Sequence, residues 1–367
     1  MSSIVQISGT NLGRFINDVD IRHSGNIFNI LRLVFASAVI YSHAFVLNNL
    51  VDPSRAILPF TVSRFAVLLF FTLSGFLVTN SLKMRGIRQF AKARALRMLP
   101  GLWVMLLISA AVTTAFFGTL PLSALPDNAS LWQYLATNGL LIGRHYGIDG
   151  VFADNPLPFV INGALWTIPR EVQCYVALAI AAAFGLLPKR QRLLMLFTAG
   201  IAIHLLLPPD LVPALSALRP LLISFFAGVL LFLYRERVFL SWPLAGLAIA
   251  LTAITDAGPL RETAAQLTAA YVTLVLAILV PTAWKRFSKA LPDYSFGIYI
   301  YGFPVQQAMI ATGIGTNAAS NMAATILCAL PLAALSWHLV EKPALALKDR
   351  SQRGSDPATA AKAGSRR

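Results

Sequence analysis

Residues 26–48 read NIFNILRLVFASAVIYSHAFVLN, a run in which Arg32 and His43 are the side chains able to carry charge near neutral pH. A helix needs about 20 mostly apolar residues to cross a bilayer, and this run supplies them. Working outward, stretches of the same kind follow at 61–82, 98–118, 165–187, 193–209, 214–234, 240–257, 264–284, 293–313 and 319–340. The expectation is an all-α membrane bundle of ten spanning helices. Leu131 to Gly143 is apolar but short, and reads as an interfacial or re-entrant segment. The chain divides into an N-terminal segment (1–25), a transmembrane domain (26–343) and a basic tail (344–367) whose small and polar composition after Lys348 predicts disorder.

Composition agrees. The chain is 57% hydrophobic and only 12% charged, against roughly 25% charged in soluble domains, so it has too few polar groups to cover a water-facing surface. Cys174 and Cys328 both lie in apolar runs and form neither a disulfide framework nor a metal-binding spacing. No metal and no resident cofactor are expected. The first apolar run is too long for a signal-peptide core and lacks a small-residue cleavage pattern after it, so it reads as a permanent span.

Charge sets the orientation. With the N-terminus inside, the inside segments hold 23 of the 30 Lys and Arg but seven of the 15 Asp and Glu. An even number of spans with both termini in the cytoplasm produces this asymmetry under the positive-inside rule. The net charge of +15 is thus a topology signal, not a nucleic-acid footprint, because the cations are spread over separate loops. One outside loop, about 118–165, is long enough to be functional or to cap the bundle.

Ionisable groups inside a membrane cost roughly 2.5–3.5 kcal/mol each on insertion scales and mark function. Arg32 and His43 are eleven residues apart, about 20° past three full turns, so they share one helix face, with a rise of about 16 Å between them. Snorkelling suits Arg32 alone, and an interhelical hydrogen bond suits His43 alone. Together they draw a polar stripe through most of the bilayer. His43 suits a general base, since imidazole titrates near neutrality. Glu171 is at a similar depth and suits an orienting carboxylate, or a helix N-terminal charge behind Pro169. Arg94 and Arg97 share a face and suit either phosphate binding or anchoring to an anionic leaflet.

These residues resemble a family. Arg32-x10-His43 looks like the first-span signature of the acyltransferase-3 family of membrane O-acyltransferases. Further matches follow in order: Phe70-Phe71-Thr72-Leu73-Ser74-Gly75-Phe76-Leu77, Arg94-x-x-Arg97-x-x-Pro100, Leu165-Trp166-Thr167-Ile168-Pro169-Arg170-Glu171, Ser295-Phe296-Gly297-Ile298-Tyr299-Ile300-Tyr301 and Ser336-Trp337-His338-Leu339-Val340-Glu341-Lys342-Pro343. Together they cover residues 29–343. There are two departures. Gly302-Phe303-Pro304 stands where many members have His before Phe-Pro, and no esterase-like domain is appended.

The resemblance implies transfer of an acyl group, usually acetyl, from cytoplasmic acyl-CoA to a carbohydrate hydroxyl at the outer side of a bacterial inner membrane. Its partners would be the acyl-CoA donor as co-substrate, the carbohydrate acceptor and the lipid bilayer. Carried residue by residue, it gives His43 and Glu171 catalytic roles and assigns Arg32, Arg94 and Arg97 to the donor phosphates. Ser74, Trp166, Tyr299 and Tyr301 become substrate or pore-lining candidates, although packing suits Ser74 and interface anchoring suits the tyrosines. A transporter or flippase of a lipid-linked saccharide is the alternative. Against it, the sequence has no inverted repeat and no matched pair of broken apolar segments.

Overall fold

A computed structural model describes residues 5–7, 10–16, 26–208, 211 and 213–353. Most of the described chain is helical. The helices are α1 (Phe28–Leu47), α2 (Val62–Phe117), α3 (Ala129–Gly139), α4 (Thr167–Ala183), α5 (Arg190–Leu206), α6 (Leu218–Leu233), α7 (Trp242–Ile254), α8 (Pro259–Ile278), α9 (Thr282–Ala290), α10 (Ser295–Ala311), α11 (Ala318–Ser336) and α12 (Lys342–Arg353). Among the described residues three helical runs are long and apolar enough to cross a membrane: α1, α2 and Ala318–Leu347. The pair α8–α9 makes a fourth if its 92° bend lies within one span.

The chain forms two compact units, residues 1–84 with 166–293 and residues 85–165 with 294–367. In the first, α6 packs against α4, α5 and α8, α7 lies along α8, and α9 meets α1. Helices α2 and α6 approach closely through their glycines. A Cβ on Gly75 would meet the Phe225 carbonyl oxygen at 2.0 Å, and one on Gly228 would meet that of Thr72 at 2.0 Å. Each glycine thus admits the other helix's backbone, as small residues do where apolar lipid gives helices no hydrophobic reason to associate. We expect Gly75→Val to lower the thermal midpoint of the detergent-solubilised protein, since overpacking costs typically about 1–3 kcal/mol. An unchanged midpoint would show that this crossing yields freely.

The expectation of an all-α chain needs one correction. β1 (Val5–Ile7), β2 (Thr10–Phe15) and β3 (Phe239–Ser241) form a small antiparallel sheet in the order β1-β2-β3. Gly13 pairs with Ser241 and Phe15 with Phe239. At Gly13 a Cβ would meet the Leu240 carbonyl at 2.4 Å, so the residue has room for nothing larger. These strands are too short and too far apart in sequence to register as alternating patterns.

Three other expectations are modified. The apolar stretch at 264–284 does not run straight, because α8 ends at Ile278 and α9 turns away by 92° after Pro281. The basic segment between the expected second and third spans is helical: α2 runs for 56 residues with a break at Gly86, whose φ of 75° lies in the left-handed region open to glycine. The tail is helical as far as Arg353, past Lys348 where disorder was expected, and residues 354–367 lie outside the described residues.

In the second unit α10 packs along α11. Gly297 lets the Ala333 backbone approach to 2.7 Å of a would-be Cβ. Asn317 and Ser320 start α11 with a reciprocal capping box. The expected interfacial segment is α3, 11 residues and about 16 Å long, too short to span. Its Tyr134 hydroxyl meets Ser109 of α2 at 3.0 Å.

Candidate acyl-transfer site

In the first unit, Arg32 and His43 sit on the unbroken helix α1, so the one-face alignment holds along its length. The N-terminal end of α1 is tied to α9 and to the residue that follows it. Asn29 Nδ2 donates to the carbonyls of Ser288 (3.4 Å) and Leu291 (3.1 Å). Arg32 Nη1 lies 3.3 Å from Asp293 Oδ2, in a pair only partly exposed to solvent. Any anion recruiting Arg32 must therefore compete with this carboxylate.

The C-terminal end is tied by a group that the sequence reading did not single out. Asp52 is 3% exposed. Its Oδ2 accepts a hydrogen bond from Ser42, the neighbour of His43. Its Oδ1 accepts from the Ser54 amide (2.9 Å) and hydroxyl (2.6 Å), and Ser54 Oγ accepts from the Val62 amide at the start of α2 (3.1 Å). Burial alone would raise the Asp52 pKa, but the hydrogen bonds from Ser42, Ser54 and Val62 together hold it below the usual carboxylate value. The available signal was Asp52-Pro53-Ser54, a side-chain turn with proline at the next position. The half-buried His43 is thus carried on a helix fixed at both ends.

Glu171 lies in the second turn of α4, beyond the first turn where the helix dipole acts on a charge. That removes helix-end stabilisation as an account of it. Its Oε1 accepts from Ser74 Oγ of α2 at 3.0 Å and from the Tyr175 hydroxyl one turn along its own helix. Ser74, a candidate for pore lining, thereby serves to orient this carboxylate. Trp166, half-buried, is the residue immediately before α4.

In the second unit, Arg97 is paired with a buried carboxylate, which any phosphate would have to displace. Its Nη1 lies 2.5 Å from Glu341 Oε2, and Glu341 is 1% exposed. The guanidinium carbon is 5.7 Å from the Phe296 ring centre and 5.3 Å from that of Trp337. Ser336 Oγ donates to the other carboxylate oxygen at 3.0 Å and also bonds with Tyr301. Drawing Arg97 away would leave a buried carboxylate uncompensated, which typically costs about 3–5 kcal/mol. Arg97 therefore holds helices together. Its partner sits at the end of a π-helical turn, Trp337–Glu341, a feature frequent at functional sites. Arg94, half-buried on the same helix face, is the remaining arginine of that pair.

Tyr299 donates to the Ala164 carbonyl at 3.1 Å and thus anchors the end of the long loop. Buried amides, which sequence reasoning overlooked, complete that anchor. Asn155 Nδ2 donates to Gln307 Oε1 (2.9 Å), Gln307 Nε2 to the Val160 carbonyl (2.7 Å) and Asn162 Nδ2 to the Ile300 carbonyl (2.8 Å). Gln306 and Asn321 join α10 to α11 at 3.0 Å. Among the described residues no group of His, Cys, Asp and Glu could hold a metal ion.

Two known proteins align over most of this chain. One is named "O-acetyl transferase", from Shigella phage Sf6, 25% identical over 87% of this chain and 96% of its own length. The other is named "Nodulation protein 10", from Rhizobium leguminosarum bv. viciae, 28% identical over 88% of this chain and 94% of its own. No solved structure matches the chain. A family model described as "Acyltransferase domain" matches residues 26–340. With its apolar helices and this match over most of its length, the chain is a membrane protein that belongs to the acyltransferase-3 family.

Proposed function

We propose that the protein transfers an acyl group, most simply acetyl, from cytoplasmic acyl-CoA to a carbohydrate hydroxyl on the far side of a bacterial inner membrane. The observation that carries this reading is the Arg32–His43 stripe on α1, inside the region matched to the acyltransferase family. The relative named as an O-acetyl transferase supports acetyl as the group moved.

In this reading His43 accepts the proton of the acceptor hydroxyl as its oxygen attacks the thioester carbonyl. The carbon–sulfur bond breaks, the ester forms, and the coenzyme thiolate leaves and takes up a proton. Glu171, steadied by Ser74 and Tyr175, supports the positive charge that develops on the imidazole. Arg94 contacts a phosphate of the donor, and Arg32 does so by exchanging Asp293 for it. Ten crossings with both termini inside remain the topology of the proposal. Two features support it. The pairing of β2 with β3 joins two segments that charge counting assigns to the same side. The basic helix α9 also lies against the inner end of α1.

Purified protein incubated with radiolabelled acetyl-CoA and candidate glycans tests the reading. Label on the glycan supports it; vesicle uptake of a lipid-linked saccharide without label transfer would replace it with transport. Arg94→Ala is expected to raise the apparent KM for the acyl donor about tenfold, the loss of one charge-assisted hydrogen bond. An unchanged KM would return Arg94 to leaflet anchoring.

A further inference from the structure

An open cavity of about 340 Å³ is lined by Pro188, Lys189, Arg190, Gln191, Arg192 and Arg237. Its volume falls within the range of roughly 300–1,000 Å³ usual for small-molecule sites. Four of its six lining residues are cationic, and none is acidic. They come from two segments, the start of α5 and the turn after α6, brought together by Arg190. Its Nη1 donates to the Leu233 carbonyl at 3.1 Å, and its guanidinium carbon lies 4.9 Å from the Tyr234 ring centre. The neighbouring carboxylate, Glu236, lies 3.6 Å from Arg235 instead.

This arrangement is electrostatically unfavourable when empty. Cations belong at helix C-termini, because the N-terminus already carries partial positive charge. Here Lys189, Arg190 and Arg192 gather at the N-terminus of the 17-residue helix α5, which has no side-chain cap and no acid in its first turn. A fourth cation, Arg237, joins from another segment. A bound anion is attracted to every one of these cations and to the helix end and so offsets their mutual repulsion, and a phosphoryl group matches both the arginine forks and the helix end.

We propose that this cavity is a binding site for a phosphoryl or pyrophosphoryl group, separate from the arginines assigned to the acyl-transfer reaction. It rests on the proposed topology in one respect: both segments then face the cytoplasm, where soluble phosphate esters and anionic lipid headgroups each offer this chemistry.

The test uses full-length protein in lipid-free detergent with inorganic pyrophosphate, and in nanodiscs containing phosphatidylglycerol or phosphatidylcholine with retained lipid read by native mass spectrometry. The double variant Arg192→Gln/Arg237→Gln removes two exposed cavity cations, and Arg286→Gln removes an exposed cation elsewhere on the same expected side. We expect pyrophosphate binding to weaken at least about tenfold in the double variant and less than about twofold in Arg286→Gln. That result supports a soluble phosphate ligand. Loss of retained phosphatidylglycerol in the double variant alone, with no pyrophosphate binding by the wild type, supports a headgroup. The proposal is overturned if the double variant matches the wild type with both probes, or if Arg286→Gln loses as much. His43→Ala should keep this binding while losing acyl transfer, so the two readings fail separately.

Discussion

His43→Ala protein is expected to insert and purify like the wild type while acyl transfer falls by about 10²–10⁴, the usual cost of losing a positioned general base. Ser42 and Asp52 secure the C-terminal end of α1 beside His43, and Asn29 secures the N-terminal end. The measurement is single-turnover label transfer from radiolabelled acetyl-CoA, set against thermal midpoint. A His43→Gln variant keeps hydrogen bonding but has no titratable group, and should be equally inactive. Wild-type turnover in either well-folded variant would remove His43 from the chemistry.

Glu341→Leu should be the most destabilising substitution. It takes the Glu341 carboxylate from the Arg97 guanidinium, half-buried between Phe296 and Trp337, and removes an acceptor of Ser336. A loss of about 3–5 kcal/mol is expected, read as a lowered thermal midpoint or poor recovery from the membrane. Because an apolar pair of similar volume often replaces a buried ion pair without loss, Arg97→Met/Glu341→Leu should recover most of that stability. The same logic separates two neighbouring arginines. Arg97→Ala should act through stability, whereas Arg94→Ala should act through the donor KM. If Arg97→Ala raised the donor KM with its midpoint unchanged, Arg97 would be a ligand after all.

The sequence disclosed what is local. The polar stripe of α1 follows from helical period alone, and the Ser74-Gly75 step already suited close packing. It did not disclose which distant groups meet. Arg97 and Glu341 each read as a polar residue at the inner end of an apolar run, yet they are separated by 244 positions, and no periodicity links them. The same holds for β2 and β3, whose paired residues flank most of the first unit. The bend between α8 and α9 was hidden because the apolar stretch continues through Pro281 to Trp284. The loop-anchoring amides were hidden by composition, since Asn and Gln are ordinary in an outside loop or near a span end. Only the contacts of Asn155 with Gln307 and Asn162 with Ile300 reveal what they hold.

The widened turn at Trp337–Glu341 holds one residue more than an ordinary helical turn. The Lys342 amide reaches the Trp337 carbonyl five positions back instead of four, so losing one residue between them would restore ordinary winding and leave the helix beyond the turn in the same rotational phase. Within that turn the costly change is therefore the loss of the Glu341 carboxylate from Arg97, more than the loss of one residue of length.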